Sequence, residues 1–361
     1  MTIPATMRAI LLIGNGGYDK LELRDDVPVP VPGPDDVLIR VDAAGVNNTD
    51  INTRIGWYSK AVAETTHAGA TSGIAGASDD GWSGARFTFP RIQGADACGR
   101  IVAVGRGIDP KRIGERILAE PVWRGTSAFD VRYFGSEVDG AFADYACVPA
   151  ASAHRINSPL SDAALASFPC AYSTAENILT RIGVVAGERV LITGASGGVG
   201  SAAVQLAKRR GAEVVAMAGV EKAEAVRALG ADHVIARSAD PAVLFGKDYF
   251  DAAVDVVGGT QFSAILDSLK RGGRYGVSGA ISGPVVDLDL RTLYLKDLRL
   301  IGCTILERDV FANMIGYIER GEIKPLLSAT FPMRGIVAAQ EAFLTKRHVG
   351  KIVLVNAASE K

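Results

Sequence analysis

The sequence predicts an α/β fold in two parts: an antiparallel, β-rich domain and a doubly wound parallel-sheet domain. Two observations carry that prediction. Before about residue 185, short β-branched segments are punctuated by Pro and Gly, as in Val27–Pro34, Val37–Val41 and Arg100–Val104, which is the pattern of a barrel or sandwich. Beyond it, strand and helix patterns alternate, as in βαβ units around a parallel sheet. The 361 residues suit two domains at about 150 residues each.

In the second part the elements follow in order. Arg189–Thr193 is an apolar run fit for a buried strand, and Val199–Arg210 reads as a helix stopped by Gly211, since glycine readily takes the left-handed conformation that ends helices. Val214–Ala218 is the next strand and Lys222–Leu229 the next helix, stopped by Gly230. Strands follow at Ala252–Val257, Arg274–Val277 and Leu298–Ile301, with a helix at Gln261–Lys270 between the first two. From about Glu307 the pattern loosens, and Gly350–Val355 is a final strand. Ser59–Arg86 is rich in Ala, Gly, Ser and Thr and has no periodicity. So long an unpatterned stretch in a compact domain is either a surface insertion or a functional segment, an active-site lid or a subunit contact.

Thirty-nine Lys and Arg against forty Asp and Glu leave a net charge of −1. No positive excess is available to neutralise phosphates, so neither nucleic acid nor an anionic membrane is an expected partner; a small-molecule substrate is. No run reaches membrane-spanning length, and the first residues lack a secretory apolar core. Cys98, Cys147, Cys170 and Cys303 lie far apart with no C-x-x-C pair, which suits neither a disulfide framework nor a structural zinc site. The reading is a reducing compartment, the cytoplasm.

The segment Val190-Leu-Ile-Thr-Gly-Ala-Ser-Gly-Gly-Val-Gly200 falls where a first strand-to-helix turn belongs. Glycines there let the backbone approach a pyrophosphate, and the helix N-terminus offers free N–H groups and a positive dipole end. Ser196, Gly197, Gly198 and Val199 are the expected cradle. A dinucleotide site that prefers NAD carries an acid at the end of the second strand to hold the ribose 2′-hydroxyl. This chain has Gly219 there, with Lys222 and Arg237 as sources of positive charge, so NADPH is the expected cofactor; Lys222 could equally be a solvated helix residue.

Seven motifs give the chain a wider likeness: Gly45-Val-Asn-Asn-Thr-Asp50, Arg54-Ile-Gly-Trp-Tyr58, Gly94-Ala-Asp-Ala-Cys-Gly99, Ala195-Ser-Gly-Gly-Val-Gly200, Leu229-Gly-Ala-Asp-His-Val234, Val256-Val-Gly-Gly259 and His348-Val-Gly-Lys-Ile-Val353. With them it resembles the medium-chain dehydrogenase/reductase superfamily, in its zinc-independent, quinone-oxidoreductase-like branch. The resemblance implies a GroES-like β domain over 1–170 and 306–361, a Rossmann domain over 171–305, and an active site in the cleft between them. Zinc-dependent members hold their metal with a Cys, a His and a second Cys. The corresponding positions here are Asn47, Ala95 and Cys170. Zinc needs about three protein ligands, so no metal is expected, and Cys170 reads as a small buried hydrophobe.

By the same resemblance Tyr58 matches a tyrosine near the substrate of zinc-free reductases, where a phenol can protonate an enolate; the alternative is a core or rim aromatic. Asn47 can orient a substrate carbonyl. Thr49 matches a proton-relaying hydroxyl or is a turn residue, and Asp50 holds the loop. Thr174, Val257, Gly258, Gly279, Ala280, Cys303 and Thr304 would line the cofactor, or serve ordinary sheet packing. The expected function is NADPH-dependent hydride transfer to a quinone or α,β-unsaturated carbonyl without zinc. Alternatives are a 2-enoyl thioester reductase, a zinc-type alcohol dehydrogenase, and an NADPH-binding protein with little turnover. The strand Leu298–Thr304 resembles the edge through which family dimers join, so a homodimer or higher homo-oligomer is expected.

Overall fold

The computed structural model describes residues 2–78, 80–127 and 129–356. The first part contributes strands β1 (Thr6–Leu12), β2 (Leu21–Pro28) and β3 (Asp36–Val46), then helix α1 (Asn48–Ile55). Strands β4 (Arg91–Ile92), β5 (Cys98–Val104), β6 (Arg116–Ala119), β7 (Val122–Arg124), β8 (Val131–Tyr133), β9 (Tyr145–Pro149) and β10 (Ala153–Arg155) follow, then helices α2 (Asp162–Leu165) and α3 (Pro169–Arg181).

The second part begins with β11 (Arg189–Ile192), α4 (Gly198–Arg209), β12 (Glu213–Ala218), α5 (Ala223–Arg227) and β13 (His233–Ala236). It continues through α6 (Pro241–Phe245), β14 (Phe250–Asp255), α7 (Phe262–Ser268), β15 (Leu269–Val277), α8 (Leu290–Leu295) and β16 (Arg299–Gly302). The chain closes with α9 (Val310–Glu319), β17 (Leu327–Pro332), α10 (Ile336–Leu344) and β18 (Lys351–Val355).

β11 to β16 form one parallel sheet in the order β13-β12-β11-β14-β15-β16. That order reverses direction between β11 and β14, which is where a doubly wound sheet opens a crevice for a dinucleotide. Val190, Leu191 and Ile192 are fully buried because helices cover both faces of the sheet, which is why β11 reads as a continuous apolar run. The first part is built on a seven-stranded sheet, with β3 between β5 and β18 and also paired with β9. β3 therefore alternates little and is buried at most of its positions.

The final strand returns to the first part: β18 pairs antiparallel with β3, Ile352 opposite Val46, and parallel with β17. The glycine-loop helix starts at Gly198, one residue before the expected Val199. The helix expected from Lys222 to Leu229 is a 3₁₀ turn at Val220–Lys222 followed by the shorter α5. Beyond Glu307, where the sequence pattern loosens, the structure has two helices and two strands. α9 packs against α3 through Val310, Phe311 and Met314, all buried. The described residues of the Ser59–Arg86 stretch form successive turns, with an isolated bridge from Asp80 to Arg86.

Candidate active site

The site begins where β3 hands over to α1. Asn47 caps the helix in an extended conformation, and a capping box closes its N-terminus: the Asp50 carboxylate accepts the Asn47 N–H at 2.7 Å. Capping of this kind satisfies N–H groups that a helix start leaves orphaned. Gly56 stops the helix with φ 78°, a conformation glycine takes without a Cβ clash. Asp50 is fully buried, and desolvation pushes its carboxyl up to about 7 against the opposing pull of the Asn47 N–H and the Lys351 ammonium.

The Asn47 amide is held at both ends. Its Nδ2 donates to Asp96 Oδ2 at 2.9 Å, and its Oδ1 accepts from Lys351 Nζ. The ammonium also donates to the Val46 carbonyl at 3.0 Å and to Asp96 Oδ2 at 2.8 Å. Both charged side chains are almost wholly removed from solvent. A buried ion pair of this kind persists only when its remaining donors and acceptors are met, and here three acceptors take the three ammonium donors. The other Asp96 oxygen accepts the Cys170 N–H at 2.5 Å. Asn47 is thus an anchor, with its amide engaged by protein rather than turned to a substrate carbonyl.

Tyr58 lies one turn past the end of α1. Its hydroxyl is 3.0 Å from Thr49 Oγ1. Burial pushes the phenol up to about 12, against hydrogen bonds from Thr49 and Asn52, so it carries its proton at neutral pH. Cys170 and Asp50 lie close enough to add to that push. The Cys170 thiol is itself raised to about 12 by burial and pairs with the Tyr133 hydroxyl at 3.1 Å; Cys170 therefore packs as a neutral thiol with a polar partner. Ala95 carries no ligating atom, and among the described residues no group of three His, Cys, Asp or Glu could hold a metal ion. With a methyl at 95 and the Asn47 amide engaged by Lys351 and Asp96, Cys170 stands without the other two ligands and the site does not fit a catalytic zinc.

At the start of α4, Gly197 caps the helix without a side-chain hydrogen bond, leaving first-turn N–H groups for an anion. A Cβ at Gly200 would collide with the Gly194 carbonyl, so the turn can be this tight only with glycine. The C-terminal loop reaches the cradle, where the Gly350 N–H donates to the Ser196 carbonyl at 3.0 Å. The glycine loop fits a dinucleotide pyrophosphate. At the end of β12, Gly219 starts the short turn that carries Lys222, whose Nζ donates to the Lys346 carbonyl. Lys346 is pushed down to about 8 by burial and by Lys222, and His348 down to about 4 by burial and by both lysines. Arg237 adds to the positive charge facing Lys222. The Glu221 carboxylate lies beside Gly219 and raises Lys222 against this repulsion, so the charge at the end of β12 is mixed rather than purely positive.

The remaining expected cofactor residues fall into two groups. Val257 and Gly258 form a turn whose N–H groups donate to buried Asp255 at 2.8 and 3.1 Å, and Ala280 lies against Gly258 while Gly279 lies against Val256. Thr174 sits half-buried on α3. Cys303 is different: its side chain is buried in the core with Ile178 and Ile182, and Asn177 donates to its carbonyl. Its N–H donates to the Val277 carbonyl, so both of its backbone groups serve the sheet and α3, beside an exposed Thr304. Sequence reasoning missed Lys351, Asp96, Lys346 and Tyr133 as site residues. A lysine heading an otherwise apolar strand was a visible signal for Lys351; nothing local marks Tyr133.

Known proteins bear on this geometry. Residues 33–158 match the alcohol dehydrogenase GroES-like domain family and residues 198–320 the zinc-binding dehydrogenase family. Acryloyl-coenzyme A reductase of Sulfurisphaera tokodaii is 28% identical over 96% of this chain and 99% of its own. Human quinone oxidoreductase is 26% identical over 97% of this chain and 98% of its own. A crystal structure from Sinorhizobium meliloti 1021 that carries a provisional alcohol dehydrogenase name is 42% identical, with TM-score 0.88 over 98% of each chain. Two consecutive family matches, full-length relatives and the strand order of a dinucleotide-binding sheet agree, and the chain belongs to the medium-chain dehydrogenase/reductase superfamily.

Proposed function

We propose that the chain is an NADPH-dependent oxidoreductase that reduces a quinone or an α,β-unsaturated carbonyl without catalytic zinc. The observation that carries this reading is the Tyr58–Thr49 pair: a half-buried, proton-bearing phenol beside a metal-ligand position filled by an Asn47 locked to Lys351 and Asp96. NADPH, when bound, supplies a hydride to the electron-poor carbon of the acceptor. The chain's own residues do the rest. Tyr58 stabilises the oxygen on which negative charge develops and gives it a proton, while Thr49 holds the phenol and can return a proton along their hydrogen bond. The cradle of Ser196, Gly197, Gly198 and Val199 receives the pyrophosphate, and Lys222, Arg237 and Lys346 receive the 2′-phosphate. Val257, Gly258, Gly279 and Ala280 border the nicotinamide end.

A 2-enoyl thioester reductase is the second reading, favoured by the likeness to an acryloyl-coenzyme A reductase. The chain is also proposed to act as a homodimer or higher homo-oligomer, since β16 is an open edge of the parallel sheet. The test is an assay of the purified protein with NADPH and with NADH, against a quinone, an enone and an enoyl-CoA, with and without a chelator. Reduction of the quinone and enone with NADPH, unaffected by the chelator, is expected. Tighter binding of NADH overturns the coenzyme assignment, and activity abolished by the chelator overturns the metal-free mechanism.

A further inference from the structure

The segment from Ser59 to Arg86 is pinned at several points. Arg54 donates to the Ala70 carbonyl at 2.7 Å, and Trp57 Nε1 donates to the Glu64 carbonyl at 2.9 Å. Thr66 is buried; its hydroxyl donates to Asn52 Oδ1 at 3.0 Å, and its N–H reaches the Ile281 carbonyl on the coenzyme side at 3.2 Å. Ser83 N–H donates to Glu137 Oε1 at 3.0 Å. The segment is therefore a strap laid from α1 to the loop after β15, and it holds Trp82 in a fixed place.

Trp82 lies against a residue of the Tyr58 and Cys170 cluster. The Trp82 indole stacks on the Tyr133 ring, with centroids 4.6 Å apart and planes at 27°. The other end of Tyr133 is its hydroxyl, 3.1 Å from Cys170 Sγ and within electrostatic reach of Tyr58 and Asp96. One flat ring thus leads from the Tyr58 cluster to the indole. Trp82 is only half-buried. The indole N–H groups of Trp57 and Trp123 donate to carbonyls of Glu64 and Glu120. That of Trp82 has no acceptor among the described residues. A held, half-exposed indole suits a flat conjugated ring, because the stacking contact forms without ordering a flexible side chain.

We propose that Trp82, stacked on Tyr133, is the platform on which a planar quinone ring lies, and that it makes the site favour planar conjugated acceptors over linear ones. The proposal rests on the reductase reading above, whose failure is distinguishable from its own. Trp82→Leu removes the platform and Trp82→Phe keeps a smaller one. With 1,4-naphthoquinone as acceptor, Trp82→Leu lowers kcat/KM roughly 2- to 10-fold, the scale of one aromatic pair, mainly by raising KM. With pent-3-en-2-one it leaves kcat/KM unchanged, and Trp82→Phe recovers most of the naphthoquinone loss.

Calorimetric titration with 1-naphthol, a flat ring that is not reduced, reads the platform without turnover: Trp82→Leu weakens binding by a similar factor. Equal losses on both acceptors, or no loss on either, overturn the proposal. If the unaltered protein reduces no acceptor, the reductase reading fails, and the 1-naphthol titration alone decides: unchanged affinity in Trp82→Leu overturns the platform, and weakened affinity sustains it.

Discussion

At the scale of single residues, Asn47 and Tyr58 differ in how their polar groups are engaged. Asn47 has spent its amide on Asp96 and Lys351, whereas Tyr58 keeps a proton and shares it with one hydroxyl. Removing one hydrogen-bond donor to a developing oxyanion costs roughly 10²–10³ in turnover in well-studied cases. A phenol assisted by Thr49 should cost less. Tyr58→Phe is therefore expected to lower kcat on an enone or quinone by about 10-fold to 100-fold, with NADPH affinity unchanged in a fluorescence titration. Unchanged kcat would return Tyr58 to a packing role.

At the scale of elements, the strap and α1 depend on one guanidinium. Arg54 is fully buried and has no carboxylate partner within ion-pair distance among the described residues. Instead it donates to the carbonyls of Gly16 and Ala70 and to Gln340 Oε1, and it lies over the Tyr18 ring at 4.5 Å. One side chain therefore joins the loop after β1, helix α10 and the strap, with five donors in a rigid fork. Arg54→Lys keeps the charge but not the fork, leaving buried carbonyls unmet at about 1–3 kcal/mol each. The variant is expected to melt several degrees lower and to be cut faster by protease between 59 and 86. Equal melting and equal cleavage would mean the strap is held elsewhere.

At the scale of the whole molecule, two arrangements matter: a contact between distant segments and an edge that the parallel sheet leaves unpaired. Lys222 follows β12 and Lys346 precedes β18, yet they share one hydrogen bond. Lys346, with its ammonium pushed down to about 8, is charged below that pH and neutral above it. A 2′-phosphate is a dianion from about pH 7 upward, so only the protein side titrates between 7 and 9. Binding the phosphate raises the lysine and takes up a proton, so NADPH affinity should fall as pH rises through 8. NADH affinity, lacking the phosphate, should stay flat. Parallel pH series of the two titrations check this.

The second arrangement is the open edge at β16, where Leu300 is exposed, near the exposed Leu290, Tyr294 and Leu295 of α8. Pairing this edge with a second copy covers both the backbone groups and the apolar side chains. Light scattering at micromolar concentration should show a dimer at least, and Leu300→Glu should shift it towards monomer.

Much of this was legible from the chain alone. The two parts, the parallel sheet and the glycine cradle follow from local patterns: apolar runs bounded by glycine, helical periodicity, and turn residues at fixed offsets. The position of Tyr58, the absence of metal-ligating side chains at 47 and 95, and Gly219 at the end of β12 could also be read there. Helix ends shifted by a residue or more because capping is decided by the turn that precedes a helix, as at Gly197 and Lys222. The weak pattern after Glu307 still folds into α9 and α10, since each buries a face against elements far away in sequence.

What the sequence by itself determined is the run of parallel strands and the glycine loop after the first of them, because those depend on neighbours within one or two turns. Only the tertiary structure decided that Lys351 locks Asn47, that Lys346 joins Lys222, and that Trp82 stacks on Tyr133. Each of those contacts joins residues whose separation in sequence is closed by strand pairing or by a pinned loop. A buried charge or an aromatic face acquires its role from the partner the fold brings to it.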